Sequence, residues 1–169
     1  WFSMSEHRVH CILDANVIFD LNAGDILGYP CSLPYILHTT DFVLDEIESI
    51  SLAELERCGL TLVELSSDLV VEVHQLRPQH LALSLADLSV FVYARHSGHM
   101  VLTGDGPLWT FARESGIDVH GTLWLLDLLV GHGILTRPNA IQALQRMTEQ
   151  KRWLPRAEVQ KRIREWGKE

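Results

Sequence analysis

The stretch VLTGDGPLW, residues 101–109, joins two kinds of structure within nine residues. An apolar, strand-like run ends in Asp105, which stands between two glycines and is followed by a proline that suits the first turn of a helix. The stretch RVHCILDAN, residues 8–16, has the same order, because Asp14 follows an apolar run and precedes a helical pattern. Each segment therefore predicts a strand that ends at an aspartate and leads into a helix.

The alternation of short β-type runs and helical patterns continues along the chain. We predict strands over residues 8–13, 35–40, 60–65, 99–103 and 117–120, a first helix from Asp14, helices over about 42–57, 67–76, 84–97 and 106–115, and closing helices from residue 122. Such alternation is typical of an α/β domain with a mostly parallel central sheet. From Pro138 onward the pattern is helical only.

Charge divides the chain into two unequal parts. Residues 1–136 contain 18 acidic residues, five arginines and no lysine, whereas residues 137–169 contain nine basic and four acidic residues. We therefore predict an α/β domain over residues 1–136 and a basic helical extension over residues 137–169. The extension either supplies positive charge for a nucleic acid or forms a solvated helix that pairs with the acidic body.

Composition excludes several classes of protein. With 169 residues and 47% hydrophobic content, we expect one globular domain with a sizeable core. No apolar run reaches the roughly 18 to 20 residues of a membrane span, and no basic and apolar leader opens the chain. The three cysteines lack metal-type spacing and predict reduced, buried thiols. We expect a cytoplasmic protein with no membrane partner.

Three aspartates occupy positions at the starts of helices. Asp14 and Asp105 follow predicted parallel strands, whose carboxyl ends form the edge of a sheet where ligands usually bind. Both residues also suit the N-cap of the following helix. Asp87 stands three residues after Ser84, which is the spacing of a capping box, and it shares a helical stripe with apolar residues such as Phe91. We predict that Asp87 points inward.

Glu46 is the one of three neighbouring acids that helical periodicity turns toward the core. At 100° per residue it shares an arc with Val43, Ile47 and Ile50. An unpaired carboxylate facing the core is costly, and basic partners are scarce in this part of the chain. A divalent cation would compensate several acids at one sheet edge, and Mg²⁺ or Mn²⁺ prefers such oxygen ligands.

These motifs together resemble the PIN-domain nucleases. The matching segments, in chain order, are ILDANVIFDL with Asp14 and Asn16, FVLDEI with Glu46, LSLADLSVFVYA with Asp87, and VLTGDGPL with Asp105. The following GIDVHGTLWLLDLLVGHGIL is similar to the end of the bacterial and archaeal members related to VapC-type toxins. The resemblance spans residues about 8–136.

The resemblance implies a Rossmann-like three-layer α/β/α PIN domain, often dimeric, that cleaves single-stranded RNA with Mg²⁺ or Mn²⁺. Its catalytic and metal-site acids correspond to Asp14, Glu46, Asp87 and Asp105, and Asn16 and Thr103 correspond to helpers that orient a ligand or water. We expect a metal-dependent endoribonuclease, in a homodimer, that acts as the toxin of a toxin–antitoxin pair. Its partners would be RNA and a small antitoxin protein.

Two other classes of function remain to be weighed. One is a catalytically inactive PIN-like scaffold or binding module, whose carboxylates serve only as helix caps; the poor basic complement of the body favours it. The other is a haloacid-dehalogenase-like phosphatase. It is disfavoured because this chain has Asp14-Ala-Asn16 after its first strand, where those enzymes are similar to one another in having an Asp-x-Asp pattern.

The histidines carry no metal signature in the sequence. Five of them lie at predicted helix ends or on or beside predicted strands, namely His10, His38, His96, His99 and His120. We expect capping, surface or hydrogen-bonded core positions for these side chains in preference to metal ligation.

Overall fold

Five short parallel strands form the centre of the computed structural model, which describes residues 8–168. They are β1 (Val9–Leu13), β2 (Tyr35–Thr40), β3 (Leu60–Val63), β4 (Met100–Leu102) and β5 (Val119–His120), paired in the order β3-β2-β1-β4-β5. The predicted α/β class, with its parallel sheet, is confirmed.

Helices cover both faces of this sheet and give the predicted three-layer α/β/α arrangement. They are α1 (Ala15–Ala23), α2 (Asp41–Glu46), α3 (Leu52–Arg57), α4 (Ser67–Leu76), α5 (Leu85–Ser97), α6 (Gly106–Glu114), α7 (Thr122–Gly131), α8 (Arg137–Glu149) and α9 (Arg156–Trp166). Short 3₁₀ turns at Tyr29–Ser32 and Arg77–Gln79 lie between them.

The helix predicted over residues 42–57 is wrong, because the structure contains two helices there. The first, α2, ends at Glu46, and α3 begins after Ser51. The Ser51 hydroxyl accepts a hydrogen bond from the Glu54 amide, and the Glu54 carboxylate accepts one from the Ser51 amide. This capping box starts a second helix, so helical periodicity does not run through residues 47–51.

The core surrounds β1 and extends into the C-terminal helices. Cys11, Ile12 and Leu13 are at most 1% exposed. Ala140 and Leu144 of α8 are 0% exposed and belong to the same apolar cluster, against which Trp166 of α9 also packs. The residues after 136 therefore bury apolar surface against the body, while the domain boundary between residues 136 and 137 stays a prediction.

Two arginines tie the C-terminal segment to the acidic body. Arg152, between α8 and α9, donates from Nε to the Asp20 carboxylate on α1 at 2.6 Å. Arg162 on α9 forms a two-pronged ion pair with Asp127 on α7, at 2.7 and 2.8 Å. Part of the basic extension therefore pairs with the body's own acids, as one of the two sequence-based alternatives supposed.

The structure also bears on the predictions about the cysteines and about membrane spans. Cys11, Cys31 and Cys58 are all free thiols, but Cys31 is exposed, so the expectation that all three are buried is wrong. Cys31 lies in a 3₁₀ turn, outside the packed layers. None of the helices within residues 8–168 is both long and apolar enough to cross a membrane.

Candidate active site

Asp14 lies directly after β1, at the carboxyl edge of the sheet, and is 1% exposed. As predicted, it is the N-cap of α1: one carboxylate oxygen accepts the Ala15 amide at 2.7 Å. The other oxygen accepts the Thr103 hydroxyl at 2.8 Å and has the Asn16 side-chain amide at 3.5 Å. Thr103 and Asn16, the two predicted helpers, therefore both contact Asp14.

Thr103 joins the two aspartates that follow neighbouring strands. Its hydroxyl is fully buried, donates to Asp14 and accepts the Asp105 backbone amide at 3.0 Å. Asp105 is half-buried and caps α6 by accepting the Leu108 amide at 2.9 Å. Since β1 and β4 are adjacent in the sheet, their carboxyl ends bring these acids to one edge.

Asp87 approaches the same edge from the start of α5. The predicted capping box is confirmed, because the Ser84 amide donates to Asp87 at 2.8 Å and the Asp87 amide donates to the Ser84 hydroxyl at 3.0 Å. The Asp87 carboxylate is half-buried. Burial first, and then the Asp105 charge, raise its pKa, while the hydrogen bonds from Ser84 lower it.

Glu46 does not face the core, so that part of the prediction is wrong. Val43, Ile47 and Ile50 are at most 5% exposed, but the Glu46 side chain is exposed. The physical reason is that α2 ends at Glu46, so the apolar residues after it are buried by a different chain path. Burial first, and then the Asp87 charge, raise the pKa of Glu46, while a hydrogen bond with Ser84 lowers it. Glu46 therefore lies near Asp87, and we call Asp14, Glu46, Asp87 and Asp105 the acidic group.

The position of Glu46 follows from the contact between the end of β2 and α5. The hydroxyls of Thr40 and Ser89, both fully buried, are 2.7 Å apart. Thr40 also caps α2 by accepting the Val43 amide at 3.1 Å. This pair of hydroxyls holds α2 against α5, so the end of α2 lies beside Asp87.

The acids influence one another electrically. Burial, then the charge of Asp87 and, more weakly, that of Asp105, raise the pKa of Asp14 to about 7, although Thr103 and Ala15 donate hydrogen bonds to it. Within residues 8–168, no arginine, lysine or histidine forms an ion pair with any of the four acids. Their charge is therefore uncompensated by the protein side chains that the structure describes.

The acids do not form a tight three-carboxylate site. In the described part of the chain, no three carboxylates bring one oxygen each within 4.8 Å of one another. Mg²⁺ keeps several waters and usually takes only one or two protein carboxylates together with substrate phosphates. Carboxylates at one sheet edge that form no ion pair within residues 8–168 fit this manner of binding. The assignment of the four acids as ligands stays a prediction.

Sequence reasoning missed Asp20 and Arg152, which lie beside the acidic group. Asp20 is 4% exposed, and its carboxylate accepts the Thr122 hydroxyl at 2.7 Å as well as the Arg152 guanidinium. Arg152 also reaches the Asn16 carbonyl at 3.3 Å. In the sequence, the only indication of this ion pair was that Asp20 lies on the inner face of α1. Its partner, Arg152, is 132 residues away in the chain, so no local pattern links the two.

A groove extends from the acidic group between the body and the C-terminal segment. A small cavity of about 220 Å³ is lined by Asn16, Asp105 and Arg152, among others. It shares Asp20, Gly104 and Trp153 with a larger cavity of about 620 Å³. The aromatic lining of the larger cavity consists of Trp109, Trp124 and Trp153. Trp153 is 94% exposed, whereas Trp166 packs against the core.

Comparisons with known proteins agree with this architecture. The profile of the DUF3368 family, described as a PIN domain, matches residues 10–168. Among curated protein sequences, none matches the chain. A solved structure titled PAE2754, from Pyrobaculum aerophilum, has a TM-score of 0.53 at 16% identity, covering 73% of this chain and 98% of the other.

A second solved structure is similar over a comparable length. It is a PilT N-terminus domain protein, SSO1118, from Sulfolobus solfataricus, with a TM-score of 0.47 at 10% identity. The match covers 70% of this chain and 92% of that one. At these identities the structural likeness concerns the fold, and the family profile is what relates the sequence of this chain to known proteins.

Proposed function

Because the chain belongs to the PIN-domain family, whose members are generally nucleases, we propose that it is a metal-dependent endoribonuclease that hydrolyses single-stranded RNA. The observation that carries the proposal is the group of acids at the carboxyl edge of the sheet. Burial first, and then the charges of Asp87 and Asp105, raise the pKa of Asp14, and no basic side chain in residues 8–168 forms an ion pair with these three acids.

Each residue of the site has a distinct task in the proposed reaction. Asp14 and Asp105 would hold a divalent cation, which would supply an activated water and neutralise phosphate charge when bound. Thr103 donates a hydrogen bond to the Asp14 carboxylate and accepts one from the Asp105 amide, and so fixes the two residues relative to each other. Asp87 and Glu46 would be further ligands or would position the attacking water. Hydrolysis leaves a 5′-phosphate on one fragment and a 3′-hydroxyl on the other.

The glycines on either side of Asp105 leave the approach to this site open. A Cβ added at Gly106 would meet no atom within 4 Å, and one at Gly104 would reach only the Asn16 Cβ, at 4.0 Å. Neither glycine has a positive φ, so conformational strain does not require them. Their role in the proposal is to let a phosphate come close to the backbone beside the acid.

The groove lined by tryptophans is the proposed path of the RNA. Bases stack on aromatic side chains with a free energy of about 1–3 kcal/mol each, whatever their sequence. Trp153 is the most exposed of these rings, at 94%, and it lines both the small cavity beside Asp105 and the larger one. Arg152 and Arg162 of the basic extension line these cavities, where phosphate contacts would compete with their ion pairs to Asp20 and Asp127.

Trp153→Ala tests this path. The change should raise the KM for single-stranded RNA about 5- to 100-fold, which corresponds to the stacking of one base. Stability should change by less than about 0.5 kcal/mol, because so exposed a side chain packs on little. Trp166→Phe, on a ring that packs against the core, is the matched control and should leave KM unchanged. An unaltered KM in Trp153→Ala would remove the groove from the proposal.

We further propose that the enzyme acts in the cytoplasm as the toxin of a toxin–antitoxin pair, as a homodimer. The similarity of residues 116–135 to VapC-related toxins supports this role, and the three free thiols are consistent with a reducing compartment. An antitoxin could neutralise the acidic group with a basic side chain. Induced expression should arrest growth for the wild type and not for Asp14→Asn, and light scattering of the pure protein gives its oligomeric state.

Cleavage of a labelled single-stranded RNA by the purified chain tests the central proposal. With Mn²⁺ we expect fragments that carry 5′-phosphates, and none with chelator or with Asp14→Asn. Asp45→Asn, on the same helix as Glu46 but outside the acidic group, makes the same change in net charge and should cleave normally. Equal cleavage by the wild type and Asp14→Asn would identify a contaminant and overturn the assignment of the site.

A binding module without catalysis is the second candidate, favoured by the 18 acids against five arginines in residues 1–136. Calorimetric titration with Mn²⁺ separates the two functions. The enzyme requires binding that is abolished in the Asp14→Asn, Asp105→Asn double variant. If wild type and double variant respond alike, and RNA stays intact, the carboxylates serve as helix caps alone.

A further inference from the structure

Three histidine side chains lie together near the amino-terminal end of the sheet, away from the acidic group. His10 is in β1, His38 is in β2 and His99 immediately precedes β4. Their ring centroids form a nearly equilateral triangle with sides of 4.8, 4.9 and 5.1 Å. The sequence did not predict that these three rings lie together.

The register of the parallel strands brings the three rings together. Cys11 pairs with Met100, so His10 and His99 are neighbours across β1 and β4. His10 pairs with Ile36, and His38 lies two residues further along β2, on the same face. Four residues of extended chain, or about 13 Å, separate His10 from Asp14, so this group of rings is distinct from the acidic group.

The nitrogens of the three rings are arranged as ligands would be. One nitrogen from each ring lies within 4.8 Å of the others. His10 Nδ1 and His38 Nε2 are 2.8 Å apart, and two nitrogens bound to one tetrahedral zinc ion lie about 3.3 Å apart, so a shift of a few tenths of an ångström is enough. His38 is 8% exposed, and its Nδ1 and that of His99 are buried without a hydrogen-bond partner in the described structure.

We propose that His10, His38 and His99 bind one divalent transition-metal ion of the zinc type. Imidazole nitrogen suits Zn²⁺, Ni²⁺, Co²⁺ and Cu²⁺, whereas Mg²⁺ prefers oxygen. Ligation requires neutral rings with a free lone pair. Burial, reinforced by His99 and His10, lowers the pKa of His38 to about 4, so the ring is neutral at physiological pH. Burial also lowers the pKa of His99.

The three rings lie beside an open cavity on one side and are packed against α5 on another. A cavity of about 560 Å³ is lined by His10 and His99 together with Gly98 and Asp118, and it gives room for a water as the fourth ligand. Tyr93 of α5 packs its ring edge against His99, with centroids 5.2 Å apart. An ion at this position would link β1, β2 and the residue that leads into β4, and its primary effect would be to stabilise the sheet.

Metal binding to the full chain, freed of metal by chelator and dialysis, tests the proposal. We expect one Zn²⁺ per chain, a rise in the melting temperature on adding Zn²⁺, and the visible absorption of tetrahedral Co²⁺ when Co²⁺ replaces it. His99→Asn should weaken Zn²⁺ binding about 100-fold or more, since even the loss of a group that only orients a ligand costs 10- to 100-fold. His96→Asn removes an exposed histidine that pairs with Glu72 and should bind Zn²⁺ as the wild type does.

Two further measurements distinguish loss of this metal site from failure of the proposed nuclease site and from unfolding of the variant. Asp14→Asn should keep Zn²⁺ binding intact, which distinguishes failure here from failure of the proposed nuclease. Should His99→Asn unfold, NMR of the wild-type histidine rings decides: Zn²⁺ must shift the nitrogens of His10, His38 and His99 and leave those of His96 unchanged. Absence of stoichiometric Zn²⁺ binding in the wild type, binding that persists in His99→Asn, or shifts confined to other histidines would each overturn the proposal.

Discussion

Asp14→Asn should make the metal-free protein more stable at alkaline pH, although it removes a residue of the proposed catalytic site. Burial, more than the neighbouring charges of Asp87 and Asp105, raises the pKa of Asp14 from 3.8 to about 7. Between these two values the folded state keeps a proton that the unfolded state releases. The stability that the proton on Asp14 contributes is therefore fully present below pH 3.8 and is lost as the pH rises from there through about 7.

The magnitude follows from the width of this window. Each pH unit costs about 1.36 kcal/mol, so the charged Asp14 lowers the free energy of unfolding by about 4 kcal/mol above pH 7. Asparagine removes that cost but offers one acceptor oxygen where Asp14 uses two, for Ala15 and Thr103, which forfeits about 1 kcal/mol. The net gain at pH 8 is about 2–3 kcal/mol, or a rise of roughly 5–10 °C in the melting temperature.

Urea unfolding at pH 4, 6 and 8 in chelator measures the effect. Wild type should lose stability across this range relative to Asp14→Asn, and the two curves should cross at about pH 4.5. Asp45→Asn, an exposed acid with the same change of net charge, should follow the wild type. Mn²⁺ at about 100 times its dissociation constant should add about 2.7 kcal/mol to the wild type and nothing to Asp14→Asn.

The reasoning would be refuted by parallel curves for wild type and Asp14→Asn over the whole pH range. That outcome would mean that Asp14 carries no burial cost in the free protein. It would also remove the electrostatic reason for a cation at this edge of the sheet. A variant less stable than the wild type at pH 8 in chelator would show instead that the hydrogen bonds of Asp14 outweigh its buried charge.

Arg152→Met should destabilise the protein by about 2–3 kcal/mol in urea, because it leaves the Asp20 carboxylate, 4% exposed, without its cation. Adding Asp20→Asn should recover most of this loss, and a cost below 1 kcal/mol for Arg152→Met would mean that the ion pair does not anchor the C-terminal segment. Gly59→Ala should cost at least about 3 kcal/mol, since its φ is +87° and the new Cβ would lie 2.4 Å from that of Cys31. Gly98→Ala, with φ +74° and no atom within 4 Å, should cost only about 1 kcal/mol, so equal melting temperatures for the two variants would contradict the steric argument.

Local patterns were sufficient for the helix starts at the active-site edge. Asp14 and Asp105 cap helices because an aspartate after an apolar run and before a helical pattern satisfies the free amides of the first turn. Ser84 and Asp87 form the capping box that their spacing of three residues predicts. These interactions link residues at most three apart, so the sequence contains both partners.

Periodicity failed where a helix ended without a strong signal. Glu46 shares a helical arc with Ile47 and Ile50 only if the helix continues, and it ends at Glu46. The exposure of the Glu46 side chain and its place beside Asp87 depend on the contact of Thr40 with Ser89, 49 residues later. The capping box at Ser51 was available in the sequence, and it was the missed indication of the break.

The sequence by itself determined the order of elements, the parallel sheet and the acids at its carboxyl edge, because these depend on apolar periodicity and capping within a few residues. Only the tertiary structure decided which distant side chains meet: Arg152 with Asp20, and His10 with His38 and His99. The physical reason is register. A shift of one residue between strands would turn a histidine to the opposite face of the sheet, and no local pattern sets that alignment.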